Sequence, residues 1–139
     1  MINRAVADTG PLVAIVRSRE KAHKKCAAAL KAFRPPLLTC WPVLTEAAWL
    51  LRDEPGGMKA LGGLIQSGSV RLVELDESAL HWIIAFLERY ASAGAEMADA
   101  AVMDIAEREG IDTVFTLDRR DFSVYRTTDG GALEIVPDA

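Results

Sequence analysis

Asp8, Glu46, Asp99 and Asp118 are acids set at the ends of short apolar stretches or inside helix-forming ones. Around Glu46 the neighbours Val43, Leu44, Ala47, Ala48 and Trp49 are apolar, and around Asp99 they are Met97, Ala98, Ala100, Ala101 and Val102. An acid in such surroundings is costly unless it is paired, protonated or bound to a cation. Two carboxylates about 4 Å apart repel by about 4 kcal/mol at an effective dielectric near 20. No lysine or arginine lies within four residues of Glu46 or Asp99, so a divalent cation is the economical partner. Oxygen donors without histidine or cysteine suit Mg²⁺ or Mn²⁺ rather than zinc or copper. Such an ion would hold a phosphate oxygen, acidify a bound water and steady charge on a leaving oxygen. Asp121, three residues after Asp118, is a fifth candidate. Each acid has a plain alternative: Asp8 as a helix cap, Asp118 and Asp121 as turn residues, Glu46 as a solvated side chain. Taken jointly, these alternatives explain less than one shared site does.

The elements that must position these acids alternate in type. Residues 5–7 read as a buried strand ending at Asp8, followed by a helix opened by Pro11 at its first position. A helix over residues 21–33 stops at Pro35-Pro36, and residues 37–39 form a short buried strand. Helices follow over 42–51 and 58–66, then a strand over 70–74. Ser78 is the expected cap of a helix running to about residue 90. A helix over 96–109 ends at Gly110, and strands cover 113–116 and 133–136. Alternating strands and helices predict one α/β domain over residues 1–139. It has three α/β/α layers and a mostly parallel, about five-stranded central sheet. Strand ends in such a sheet face a common edge, where open α/β sheets place their ligands.

The bulk composition agrees with a globular domain: 139 residues, half of them hydrophobic and 26% charged. No stretch is long and apolar enough for a membrane helix. The chain reaches Asp8 too early for a secretory apolar segment, so a cytoplasmic location is expected. Cys26 and Cys40 lack metal-ligand spacing and read as buried free thiols, with a disulfide between them as the alternative. His23 and His81 read as surface or packing residues. The net charge of −4 hides an uneven distribution. Residues 17–34 carry seven basic side chains against Glu20 alone, whereas residues 74–112 carry ten acids against Arg89 and Arg108.

Four stretches in register resemble the motifs of PIN-domain nucleases. Asp8-Thr9-Gly10-Pro11-Leu12-Val13-Ala14 resembles the opening motif and Leu44-Thr45-Glu46-Ala47-Ala48 the second acidic one. Met97-Ala98-Asp99-Ala100-Ala101 resembles the third, and Thr116-Leu117-Asp118-Arg119-Arg120-Asp121-Phe122 the closing one. The size is similar to that of the VapC-like toxins of bacterial toxin–antitoxin pairs. This resemblance implies a five-stranded parallel sheet, Mg²⁺- or Mn²⁺-dependent RNA cleavage, and an inhibitory antitoxin partner. A homodimer is also expected. It further implies that Asp8 and Asp99 are the leading metal ligands, that Glu46 and Asp118 complete the pocket, and that Asp121 supports it. Thr116 would aim its hydroxyl into the pocket, and Thr9 would cap the first helix or touch the water shell. Cys40 stands where relatives often carry serine or threonine.

Arg119 and Arg120, between two site acids, are the best placed to guide an RNA backbone, followed by Arg17 with the Lys21–Lys25 run; neutralising nearby acids is the alternative role. Asp104 is five residues from Asp99, about 140° round a helix. It should lie outside the site, at the surface or paired with Arg108. Trp49, Leu50, Leu51, Met58, Leu61 and Leu64 are either core or, by the resemblance, a groove for an antitoxin helix or dimer mate. Two other functions are carried alongside RNA cleavage. One is a PIN-like domain that binds RNA or a partner without cleaving, against which retention of all four acids weighs. The other is a phosphohydrolase, against which the lack of a glycine-rich phosphate loop weighs.

Overall fold

A computed structural model describes residues 3–139. Five strands run β1 (Val6–Ala7), β2 (Leu37–Thr39), β3 (Val70–Leu72), β4 (Thr113–Phe115) and β5 (Glu134–Val136). They form one sheet in the order β3-β2-β1-β4-β5, and every pairing is parallel. Each residue of β1, β2 and β4 is buried. Successive strand residues point to opposite faces, so both faces of the sheet centre must be covered. The covering helices are α1 (Thr9–Val16), α2 (His23–Ala32), α3 (Trp41–Leu50), α4 (Gly57–Gln66), α5 (Glu77–Arg89), α6 (Met97–Glu109) and the short α7 (Arg119–Phe122). The expected three-layer α/β/α architecture is the one observed, with an all-parallel sheet.

Starting from the centre, the chain runs outward through β2 and β3, then returns and extends the other way through β4 and β5. The reversal lies between β1 and β4, which pair Val6 with Val114 and Ala7 with Phe115. Ligands of open α/β sheets lie outside the carboxyl ends of the strands at such a reversal. One step beyond the ladder, Asp8 and Thr116 are the next residues in register. The Asp8 N–H donates to the Phe115 carbonyl at 2.8 Å, extending the pairing to that point.

The core is built around Val6, Leu12, Phe33, Leu37, Val43, Met103, Ile105 and Phe115, all essentially inaccessible to solvent. Helix α6 is buried from Ala100 through Ala106, packing on β1 and β4 while α5 covers its outer side. Its small residues permit this close approach. It ends at Gly110, whose φ of +67° suits glycine and few other residues.

Two start signals differ from the sequence expectation. Helix α1 begins at Thr9, so Pro11 occupies its third position, still within the first turn where proline's missing N–H costs nothing. Helix α5 is capped by Asp76 rather than Ser78. The Asp76 carboxylate accepts the Ala79 N–H at 3.1 Å, and the Ser78 hydroxyl donates to the same carboxylate at 2.7 Å. Among the described residues, no helix is long and apolar enough to cross a membrane. Cys26 and Cys40 are buried free thiols, and burial pushes the Cys40 thiol up to about 11.

Candidate active site

Parallel strands deliver their carboxyl ends to one edge, and the expected acids gather there. Asp8 follows β1, Asp118 follows β4, and Glu46 lies in α3, the helix after β2. Asp99 lies in the first turn of α6 and Asp121 in α7. All five line one cavity of about 450 Å³, together with Glu96, Gly10, Gly94, Leu50 and Leu117. That makes six carboxylates and no basic side chain on the wall among the described residues. Gly10 keeps the wall thin, since a Cβ there would stand 3.3 Å from the Leu117 Cβ.

Asp8 is the deepest acid, only 7% exposed. The Thr116 hydroxyl donates to its Oδ2 at 2.7 Å and accepts the Asp118 N–H at 3.0 Å. Thr116 thus links the first acid to the last, as its expected inward-facing hydroxyl allows. Burial pushes the Asp8 carboxyl up to about 6; the Thr116 and Thr9 hydrogen bonds oppose this, and the charges of Asp99 and Glu46 add to it. Asp99 is half-buried, and its pKa is raised first by desolvation, with Asp118 and Asp121 contributing like charge. Its Oδ2 accepts the Glu96 N–H at 3.3 Å and the Tyr125 hydroxyl at 2.9 Å.

The Asp118 carboxylate caps α7 by accepting the Asp121 N–H at 3.1 Å. Asp118 therefore caps a short helix, where a turn residue was the plain alternative, and also lines the cavity. The Asp121 pKa is raised by desolvation and then by Asp118, with Arg120 opposing. Among the described residues no three carboxylates converge into a ready ion cage; the acids ring a shared space instead.

Three expectations change. Thr9 neither caps α1 nor faces the cavity water: Asp8 holds the cap position, and the buried Thr9 hydroxyl donates to the Val43 carbonyl at 3.5 Å, tying α1 to α3. Arg17 is not a free cation for a nucleic acid. It binds Glu54 at 3.1 Å, Glu20 at 3.2 Å and the Leu50 carbonyl at 2.7 Å, which makes it a strap between α1 and the α3–α4 turn. Asp104 is 5% exposed rather than at the surface, while its alternative pairing with Arg108 is present, Oδ2 lying 3.7 Å from Arg108 Nη2 with no hydrogen bond to that oxygen.

The other two arginines divide. Arg119 donates to the Ile135 and Pro137 carbonyls at 3.3 and 2.8 Å, holding the end of β5. Arg120 is exposed beside Asp121, with no hydrogen bond or ion pair from its guanidinium among the described residues. Of the six apolar residues left between core and groove, Leu51 and Leu61 are core and Leu64 packs against it. Trp49, Leu50 and Met58 remain exposed on α3 and α4.

Sequence reasoning missed Glu96 and Tyr125. Glu96 had a local signal, an acid three residues before another at a helix start. Tyr125 had none, since only the fold brings it to Asp99.

The PIN domain family pattern matches residues 5–127. Ribonuclease VapC26 of Mycobacterium tuberculosis (strain ATCC 25618 / H37Rv) is 25% identical over 134 residues, covering 95% of this chain and 99% of that protein. Among solved structures, Mycobacterium tuberculosis VapC20, a sarcin-ricin loop cleaving toxin, superposes with a TM-score of 0.78 at 19% identity. That match covers 99% of this chain and all of the other. A toxin–antitoxin complex from Klebsiella pneumoniae superposes with a TM-score of 0.68 at 15% identity, covering 96% of each chain.

Proposed function

The chain belongs to the PIN domain family, and on that premise we propose that it is a metal-dependent endoribonuclease, the toxin of a toxin–antitoxin pair. The observation that carries this reading is the cavity at the sheet reversal, walled among the described residues by six carboxylates and no basic side chain. A space with that much negative charge repels an RNA phosphate unless a cation intervenes. The donor set fits Mg²⁺ or Mn²⁺, being all oxygen and part buried.

Asp8 and Asp99 would hold the ion, Glu46 and Asp118 would complete the wall, and Asp121 would support Asp118. When bound, the ion supplies Lewis acidity toward a phosphate oxygen and an acidified water for in-line attack. The protein's own part is orientation. Thr116 fixes Asp8 through Oδ2 at 2.7 Å, while the central pairing of β1 with β4 sets the spacing of Asp8 from the Asp118 loop. Capture of a cation by Asp8 competes with a proton below about pH 6, so metal affinity should fall as the pH drops through that value.

Arg120, exposed and without an ion pair at contact distance among the described residues, is the cation best suited to steer RNA toward this edge. The similarity to a toxin–antitoxin complex supports an antitoxin protein as partner, and exposed Trp49, Leu50 and Met58 give α3 and α4 an apolar face for it or for a second copy in a homodimer.

The test is cleavage of several structured RNAs with Mn²⁺ or Mg²⁺ by wild type, Asp8→Asn and Asp99→Asn. Cleavage by wild type alone is expected, with each variant reduced at least a hundredfold. Equal cleavage by all three, or none by wild type on any RNA, would overturn the assignment.

A further inference from the structure

Asp99 is the cavity acid whose orientation depends most on a residue outside the acidic set. Its Oδ2 carries two donors, the Tyr125 hydroxyl at 2.9 Å and the Glu96 N–H at 3.3 Å. Among the described residues its Oδ1 takes none, and Asp99 lines the cavity. The two oxygens of one carboxylate are thus sorted, one occupied within the protein and the other left with its lone pairs.

The donor itself is unusually well fixed. Tyr125 is completely buried, the bulkiest fully inaccessible side chain among the described residues. Its ring is gripped edge-on by Phe86, Tyr90 and Phe122, with centroids 5.0, 5.1 and 5.1 Å away. Phe86 and Tyr90 belong to α5 and its end, and Phe122 directly follows Asp121 in α7. The same ring therefore touches the helix that carries Asp121 and presents its hydroxyl to Asp99. A phenol with two rotatable side-chain bonds, both locked by packing, is a stiff ruler between those two acids.

We propose that Tyr125 is a positioning residue, whose hydroxyl holds Asp99 Oδ2 so that Oδ1 is offered to a divalent cation in the cavity. Partners of metal-binding side chains set ligand orientation, and losing one typically weakens metal affinity about 10- to 100-fold. The inference rests on the metal-site reading above, and its test separates the two.

The experiment is Mn²⁺ titration by calorimetry on wild type, Tyr125→Phe, Tyr90→Phe, Asp99→Asn and the Tyr125→Phe/Asp99→Asn double variant. Melting temperatures and RNA cleavage are measured alongside. Tyr90→Phe is the control for packing: it removes a hydroxyl from the same aromatic cluster, one that accepts the Arg126 N–H and not a site acid. Tyr125→Phe should bind Mn²⁺ about tenfold more weakly, with reduced kcat and an unchanged KM for RNA. Tyr90→Phe should bind as wild type does. In the Asp99→Asn background the Tyr125 change should have no further effect on affinity, because the hydroxyl acts through Asp99. Binding by Tyr125→Phe within twofold of wild type overturns the inference and leaves the metal site standing. Equal weakening in both phenylalanine variants also overturns it, in favour of packing. Absence of Mn²⁺ binding by wild type overturns both readings.

Discussion

Replacing Asp8 with asparagine should stabilise the metal-free protein at neutral pH while abolishing cleavage. The Asp8 carboxyl, ordinarily titrating near 3.8, is pushed up to about 6, chiefly by burial. Each pH unit between the two values is about 1.4 kcal/mol, so carrying Asp8 as an anion in the folded chain costs about 3 kcal/mol above pH 6. The folded state keeps the proton to higher pH than the unfolded chain does. The stability tied to Asp8 is therefore fully present below about 3.8 and lost as the pH rises to about 6.

Asparagine carries no charge to desolvate, and its amide oxygen can still accept the Thr116 hydroxyl. A gain of about 1–3 kcal/mol is expected near pH 7.5 in EDTA, or very roughly 3–10 °C in Tm for a chain of this size. Near pH 3.5 the two proteins should differ little. Added Mn²⁺ should reverse the order, since an ion at a thousandfold excess over its Kd stabilises the protein that binds it by about 4.1 kcal/mol. Thermal melts at several pH values, with EDTA or Mn²⁺, read all of this. An asparagine variant less stable than wild type in EDTA near pH 7.5, or a gain that does not change with pH, would refute the reasoning.

Three other side chains give expected outcomes from the same structure. Asp104→Asn should raise stability by about 1 kcal/mol at neutral pH, because it removes the charge of a buried carboxylate that no hydrogen-bond donor meets at Oδ2. Burial holds the Asp104 pKa above its ordinary value, so the gain should fade as the pH falls through the carboxylate range; a loss at neutral pH in thermal melts counts against it. Arg120→Ala should weaken RNA binding evenly across sequences and reduce the slope of log K against log salt by roughly 0.7–0.9. Arg17→Ala should leave that slope alone and lower Tm instead; anisotropy titrations at several salt concentrations that give the reverse pattern would reject both roles.

The parts of the fold legible in the sequence are those fixed by local patterns. β2 lies over 37–39 as read, because a short apolar run between prolines and a helix start has few other solutions. Gly110 stops α6 where expected. The four-residue α7 was missed because one turn of helix carries no periodicity; only its Asp118 cap reveals it. The cap of α5 was misplaced by two residues because Asp76 and Ser78 are both competent and the backbone decides between them. The acids of the site were legible because each sits beside a strand end or an apolar helix face. The fates of the cations were not. The partners of Arg17 include Glu54, 37 positions away, and Arg119 reaches the Pro137 carbonyl 18 positions away. Long-range pairing decides whether an arginine is a strap or a free charge, and neither spacing nor local composition records it.

Asp99 and Asp104 show why burial alone does not make a site. Both lie on α6 with raised pKa values, and in both burial is the leading cause. Five residues apart, they point about 140° away from each other. Asp99 looks toward the sheet reversal, where five other carboxylates share its cavity and two donors sort its oxygens. Asp104 looks into a niche with Arg108, whose Nη2 stands 3.7 Å from an oxygen that no donor meets. Its charge is partly cancelled where it stands, so it calls for no external cation. The charge on the cavity wall is met only by Arg120 beside Asp121, since among the described residues every ionisable side chain lining the cavity is an acid. An isolated buried acid lowers stability and can be removed at a gain. Six acids around one cavity at the sheet reversal repel one another, and the proposed divalent cation is the partner that would offset that repulsion.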